Sequence, residues 1–174
     1  DEALVRVEHL TVRFPVGRRQ YVEAVSDVSL DVMPGETVGL VGESGCGKST
    51  TGRAIAQLPT PTSGRVVYDG RDLTELNRKD LRRLRPDLQL IYQDPISSLN
   101  PRMTVEKLVG EPLEIWGKGD RAERRARVEA MLDAVGLDPE AVMQRKAGEF
   151  SGGQCQRLCI ARALVLDPKV PILD

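Results

Sequence analysis

Aromatic side chains are scarce in this chain. Two Phe, three Tyr and one Trp make up 3% of 174 residues, so the core has to be built from aliphatic side chains. Charge of one sign is also missing: 25 basic against 26 acidic residues give a net charge of −1. No global field therefore favours nucleic acid or an acidic membrane surface. No run approaches the ~20 apolar residues of a membrane span. The first residues show no basic segment leading into an apolar core, so no secretory signal is expected. Three cysteines, Cys46, Cys155 and Cys159, form an odd set without metal-ligand spacing. Cys155 and Cys159, four apart, are expected on one face of a helix as small packing residues in a reducing cytoplasm. What is present is an ordinary soluble balance, 40% hydrophobic and 29% charged, long enough for one domain with a sizeable core. There are no internal repeats.

One stretch organises the rest: Val38-Gly39-Leu40-Val41-Gly42-Glu43-Ser44-Gly45-Cys46-Gly47-Lys48-Ser49-Thr50. Its apolar start reads as a buried strand. Thr51 to Leu58 reads as a helix with Ala54, Ile55 and Leu58 on one side. Between them lies Gly42-x-x-x-x-Gly47-Lys48-Ser49, the pattern of a phosphate-binding loop. Its glycines turn the chain through positive φ and bring bare N–H groups against phosphate oxygens. The helix behind directs about half a positive charge at the same anion. Lys48 adds a full charge for the β- and γ-phosphates, and the Ser49 hydroxyl is placed to hold Mg²⁺. Nucleoside triphosphate binding is the expectation.

Around this centre, Leu4 to Phe14 alternates as a strand with one slip near Glu8-His9, Pro15 to Gln20 reads as a polar turn, and Tyr21 to Val32 alternates again. The start is thus antiparallel β structure beside an α/β core. Arg65 to Tyr68 is expected as strand, Asp69-Gly70 as a tight turn and Arg71 to Leu76 as the return. Asn77 opens a short helix that Pro86 stops. Leu88 to Tyr92 is a short strand ending at Gln93. Ligands of open α/β sheets sit off the carboxyl ends of strands, so Gln93 is a candidate site residue; alternatively it is merely a polar residue leaving a strand. Pro95 to Met103 reads as a polar loop. Two helices follow, one capped by Thr104 with Val105, Leu108, Val109, Pro112 and Trp116 on a stripe, and one from Arg121 to Val135. The charged face of the second, with Glu123, Arg124 and Arg127, reads as solvated. The expected organisation is an α/β core with the antiparallel region over 1–95, an inserted helical subdomain over 96–149, and a return to the core over 150–174.

Phe150-Ser151-Gly152-Gly153-Gln154 precedes another helical run. Ser151 at the N-cap and Gln154 at N3 make a capping box. The box does not explain Gly152-Gly153, each of which costs up to ~1 kcal/mol relative to Ala in a helix. Two bare residues at a helix start suit an anion that must approach the backbone. One chain would then carry two anion-binding helix starts.

The phosphate loop, the Gln93 strand end, the helical insert and the Ser151-to-Gln154 start, in this order, resemble the ATP-binding domain of ABC transporters along the whole chain. Tyr92-Gln93-Asp94-Pro95 and Ser97-Ser98-Leu99-Asn100-Pro101-Arg102, with the loop itself, are similar to the dipeptide, oligopeptide and nickel importer branch. The resemblance implies a P-loop NTPase core and two domains paired head to tail around two ATP. Ser151, Gly152, Gly153 and Gln154 would bind the γ-phosphate of the ATP on the partner's P-loop. Phe14 would stack on adenine, with Tyr21 as the alternative. Gly42, Ser44, Gly45, Cys46, Gly47, Lys48, Ser49 and Thr50 would hold phosphates. Ser49, Gln93 and Asp174 would serve Mg²⁺, and Gln93 would also help position water. Implied partners are a second ATP-binding domain, membrane-spanning permease subunits touched by the Gln93 loop and the helical insert, and, indirectly, a periplasmic or lipid-anchored solute-binding protein. The implied place is peripheral, on the cytoplasmic face of the cell membrane. Nucleic acid is not expected, although a soluble ABC-type ATPase acting on nucleic acid or ribosomes, or a non-catalytic nucleotide-binding fragment, are the other readings.

The family pattern also implies departures. A glutamate that polarises the attacking water would follow Asp174, where the sequence stops, and the switch histidine has no counterpart because His9 lies in the first strand. Loss of a general base costs about 10²–10⁴-fold, so the chain as given is expected to bind ATP and turn it over negligibly. Pro171 falls where a central strand needs a donor. Cys155 stands where the family usually has a basic residue.

Overall fold

The computed structural model describes residues 2–174. Contacts divide them into two compact units, one running to Leu84 and taking in Asp174, the other Arg85–Leu173.

The first unit is a four-stranded sheet in the order β2-β1-β3-β4, with one helix against it. Strands β1 (Val5–Gly17) and β2 (Gln20–Val32) form a long antiparallel hairpin, and β3 (Ser63–Tyr68) pairs with the other edge of β1. Val5, Val7, Leu10 and Val12 are buried, so the inward face slips by one residue at Glu8-His9, as the alternation implied. His9 takes φ 50° there, and both pairings of β1 shift register. The expected turn over Pro15 to Gln20 shrinks to Arg18-Arg19. Pro15 stays in the strand opposite Tyr21, beyond the last β1–β3 pair at Thr11, so its missing N–H breaks no bond to β3. Strand β4 is only Arg71–Asp72, because the Asp72 carboxylate accepts from Thr74 N–H and starts a 3₁₀ turn, Leu73–Glu75, in place of the expected longer return. Asn77 Oδ1 accepts from Lys79 and Asp80 N–H and so caps α2 (Arg78–Leu84).

Helix α1 spans Lys48–Ile55. It begins earlier than expected, and Leu58 lies beyond it, because the residue before Pro59 is biased away from helix. Thr51, Ala54 and Ile55 are buried, and α1 packs on β1 and β2. A larger correction concerns Val38 to Val41, expected as a buried strand. These residues form no strand, and Val41 is 97% exposed. A parallel strand exists only through the ladder of its neighbours, and no strand of the described residues pairs with this run.

The second unit sets a parallel pair, β5 (Leu88–Ile91) and β6 (Val170–Leu173), with a helical cluster. Its helices are α3 (Pro95–Ser98), α4 (Val105–Ile115), α5 (Arg121–Ala134), α6 (Pro139–Val142) and α7 (Gly152–Leu164). Helix α3 falls inside what the sequence presented as loop; Asp94 caps it and Pro95 supplies its fixed φ. Val105, Leu108, Val109, Leu113, Val128, Leu132, Leu158 and Ala161 make the core, entirely without aromatics at its centre. Leu113, absent from the expected stripe, is fully buried. Val170 N–H donates to the Asp87 carbonyl, so Pro171, the next residue, turns its nitrogen to the other edge of β6. Its missing donor therefore leaves the β5–β6 ladder whole.

Candidate functional site

Within the first unit, the loop before α1 is held by its own residues. Gly45 and Gly47 take φ 79° and 96°. At Gly47 a Cβ would lie 2.2 Å from the carbonyl oxygen of Ala24, the extra residue of a bulge on β2. Only glycine lets the helix start seat there. Lys48 Nζ folds back and donates to the carbonyls of Gly42 (2.8 Å) and Glu43 (2.7 Å), closing the loop into a ring, with Cys46 Sγ 3.6 Å away. A Cβ at Gly42 would meet that sulfur at 2.6 Å, so Cys46 would have to turn its side chain away. Residues 41–46 are exposed and Gly47 to Thr50 half-buried.

Helix α1 differs from the others at its start. Asp94, Thr104, Asp120, Asp138 and Ser151 each cap their helix through a side-chain oxygen. Gly47 offers none, so no side chain caps the first turn of α1. The positive end of the dipole lies at this uncapped turn. Ser49, in this turn, donates to Asp174 Oδ1 at 2.5 Å, while Arg53 Nη2 donates to Oδ2 at 3.0 Å. Ser49 and Arg53 are four apart on α1, hence on one side. Sequence reading passed over Arg53, although that spacing was available.

Phe14 and Tyr21 separate by register. Phe14 lies two residues after Val12; the register shifts between Val12 and Arg13, but the extra residue is Ala24 on β2, so β1 itself alternates without interruption and the two share a face. Val12 is buried opposite Val25, whose Cγ2 lies 3.5 Å from where a Gly47 Cβ would be. Phe14 thus stands on the face that carries the loop, and it is 40% exposed. Tyr21 pairs with Pro15 on the other face.

The second unit holds the remaining candidates. Ser151 Oγ accepts from Gln154 N–H at 3.4 Å, and Gln154 Oε1 accepts from Ser151 N–H at 3.1 Å, the capping box expected from sequence. A Cβ on Gly152 or Gly153 would meet nothing within 4 Å. Ser151, Gly153, Gln154 and Arg157 line an open cavity of about 600 Å³. Cys155 points inward, buried, its Sγ 3.8 Å from the Phe150 carbonyl, so this position carries no surface contact. Gln93 is exposed two residues past β5; β5 and β6 finish level, with Ile91 opposite Leu173.

No cluster of three or more His, Cys, Asp or Glu side chains suited to a metal occurs among the described residues. Ser49 and Asp174 offer one hydroxyl and one carboxylate, both hard oxygen donors. That set fits Mg²⁺, which is usually held by one or two protein oxygens together with substrate phosphates.

The family profile described as ABC transporter matches residues 25–174. The chain belongs to the ABC transporter family. It is 49% identical to the glutathione import ATP-binding protein GsiA of Pectobacterium atrosepticum over 179 aligned positions, covering 99% of this chain and 29% of that protein. It is 44% identical to the oligopeptide transport ATP-binding protein OppF of Haemophilus influenzae, covering 99% of this chain and 54% of that one. The chain therefore spans roughly a third to a half of these relatives' lengths. Among solved structures, the dimeric post-hydrolysis state of the ATP-binding cassette MJ0796 bound to ADP and Pi superposes with a TM-score of 0.85. It is 31% identical, over 98% of this chain and 76% of that one.

Proposed function

We propose that this ABC cassette binds and hydrolyses ATP as part of an importer of peptides or related small solutes, two cassettes closing head to tail on two ATP. The observation that carries the reading is the uncapped start of α1, ringed by a glycine loop with Lys48 folded into it. An incoming phosphate oxygen supplies the acceptor that the first-turn N–H groups lack. Lys48 spends two protons on carbonyls; the third faces a sulfur, a weak acceptor that an anionic oxygen displaces. Phe14 stacks on the base. Ser49 and Asp174 would hold magnesium, which would offset charge on the triphosphate oxygens. Gln93 keeps the role that the resemblance implies for it, toward magnesium and the attacking water. Ser151 to Gln154 take the γ-phosphate held by the second cassette.

Import relatives at 44–49% identity favour a permease as partner over nucleic acid or ribosomes. The Gln93 loop and the helices of the second unit face it, with a solute-binding protein acting beyond it. No helix among the described residues is long and apolar enough to cross a membrane. In this reading, attachment to the cytoplasmic face would come through the permease.

Titration with magnesium and a fluorescent ATP analogue tests the centre of this reading. Lys48→Ala removes charge-assisted hydrogen bonds worth about 1.5–3 kcal/mol each, so affinity should fall at least about tenfold. The variant also loses the two bonds to the Gly42 and Glu43 carbonyls, so its unfolding midpoint should fall somewhat, and binding is compared well below it. Equal affinity in parent and variant overturns the assignment of the loop.

A further inference from the structure

Two side chains of α7 grip both ends of α3. Cys159 Sγ lies 3.3 Å from Ser98 Oγ and donates to the Pro95 carbonyl at 3.6 Å. Arg162 Nη1 donates to the Ser98 carbonyl at 3.2 Å, and its Nη2 donates to the Glu111 carboxylate of α4, also at 3.2 Å. Residues 159 and 162 are three apart, so they share one side of the helix. A single guanidinium therefore joins α3, α4 and α7. Its planar fork fixes the angle between the two bonds. Arg162 and Glu111 are each 35% exposed, so water only partly competes for them. Burial pushes the Cys159 thiol up, which keeps it protonated and able to donate.

Beyond these grips, helix α3 is held by the Asp94 cap at its start and by Leu99, buried in the core just past its end. It is four residues long, none of them buried. A helix this short has no stability of its own in water. Its place is set by what holds it. Gln93 stands two residues before Pro95, and Ser151 to Gln154 open the same α7 that carries the grips.

We propose that Arg162, assisted by Cys159, is a positioning residue that ties the Gln93 segment to α7, so that an event at the start of α7 is felt at Gln93. The tie rests on the contacts alone. Only the identity of the event, engagement of a γ-phosphate, rests on the function proposed above.

Backbone ¹⁵N relaxation of the 174-residue chain tests it. In the parent, amides of Ile96 to Leu99 should show order parameters near those of rigid backbone, about 0.85, and in Arg162→Gln they should drop below about 0.6. Helices α4 and α7 should keep their values. Arg162→Lys keeps a charged donor and should recover most of the order. The exchanged pair, Arg162→Glu with Glu111→Arg, restores an ion pair and the unfolding midpoint. It should leave Ile96 to Leu99 mobile, because a carboxylate cannot donate to the Ser98 carbonyl. Unchanged order in Arg162→Gln, or full rescue by the exchanged pair, overturns the proposal. Should Arg162→Gln fail to fold, Cys159→Ala removes the other grip; a smaller loss of order at Ile96 to Leu99 supports the tie, and no loss overturns it. A second arm adds magnesium and ATP. In the parent, amide shifts should move at both Ser151 to Cys155 and Ile96 to Leu99; in Arg162→Gln, at the former only. Movement at Ser151 to Cys155 alone in the parent counts against the tie. If nucleotide moves neither segment nor the loop at Ser44 to Thr50, the functional reading fails while the tie stands or falls on the first arm.

Discussion

At Gly47 a methyl group would strike the Ala24 carbonyl oxygen; at Gly153 it would meet nothing within 4 Å. Both glycines open a helix, and their substitutions should move stability in opposite directions. Gly47→Ala combines the backbone clash with a φ of 96°, and the left-handed strain alone is about 1–3 kcal/mol. Its unfolding midpoint should fall by several degrees. Gly153→Ala places a good helix former in an open first turn. It should gain up to about 1 kcal/mol, roughly 2–4 °C. The gain should come with weaker nucleotide-driven association, since in the proposed pairing the methyl group would stand where an anion approaches the backbone. Calorimetry and sedimentation on the two variants check this. Stability unchanged at Gly47, or association undiminished at Gly153, would remove the reason given for each residue. Both glycines were legible as positions needing a bare backbone. What lay against Gly47 was not, because the bulge that turns the Ala24 carbonyl toward it arises from strand pairing rather than from any local signal.

Among the elements, α3 has its first turn capped by a single carboxylate. Asp94 accepts from the Ile96 and Ser97 N–H groups, and hydrogen bonds from Ser97 foremost hold it below the usual aspartate value. A depressed carboxylate stabilises the fold fully above its unfolded pKa, near 3.9, and that contribution is lost as pH falls through the folded value. The turn should therefore be insensitive to pH from neutral down to about 4 and loosen only in stronger acid. Amide shifts of Ile96 and Ser97, followed by NMR, should collapse in that acid range. In Asp94→Asn, which keeps an acceptor without a titrating proton, they should show no such step. A transition near neutral pH would mean that another group sets the turn. Other elements with local causes were equally readable: Thr104 and Ser151 cap their helices as their positions implied. The run Val38 to Val41 was not. Its apolar pattern states what it can bury, and pairing depends on neighbouring strands that no local pattern encodes.

On the scale of the whole molecule, the chain offers an anion two kinds of helix start, one in each unit. The start of α1 brings a cation and a hydroxyl beside a carboxylate; that of α7 brings bare backbone under a capping serine. The proposed head-to-tail pairing would give every triphosphate one start of each kind, from different copies. Near-neutral net charge means that no long-range repulsion opposes the approach of two copies. A mixing experiment follows from this arrangement. Lys48→Ala spoils the first start and leaves the second intact. Gly153→Glu does the reverse: glutamate suits the first turn of a helix, so the fold is kept, while its charge repels phosphate. In a mixed pair, both defects fall on one nucleotide site, and the other site is built wholly from sound parts. Each variant alone should therefore fail to associate on addition of magnesium and ATP, and an equimolar mixture should recover association, read as sedimentation mass. If each copy instead used both its starts on its own nucleotide, every copy in the mixture would be defective and mixing would restore nothing. A mixture as inert as its components would thus sink the shared-nucleotide arrangement, even with the affinity of the α1 loop for ATP fully confirmed.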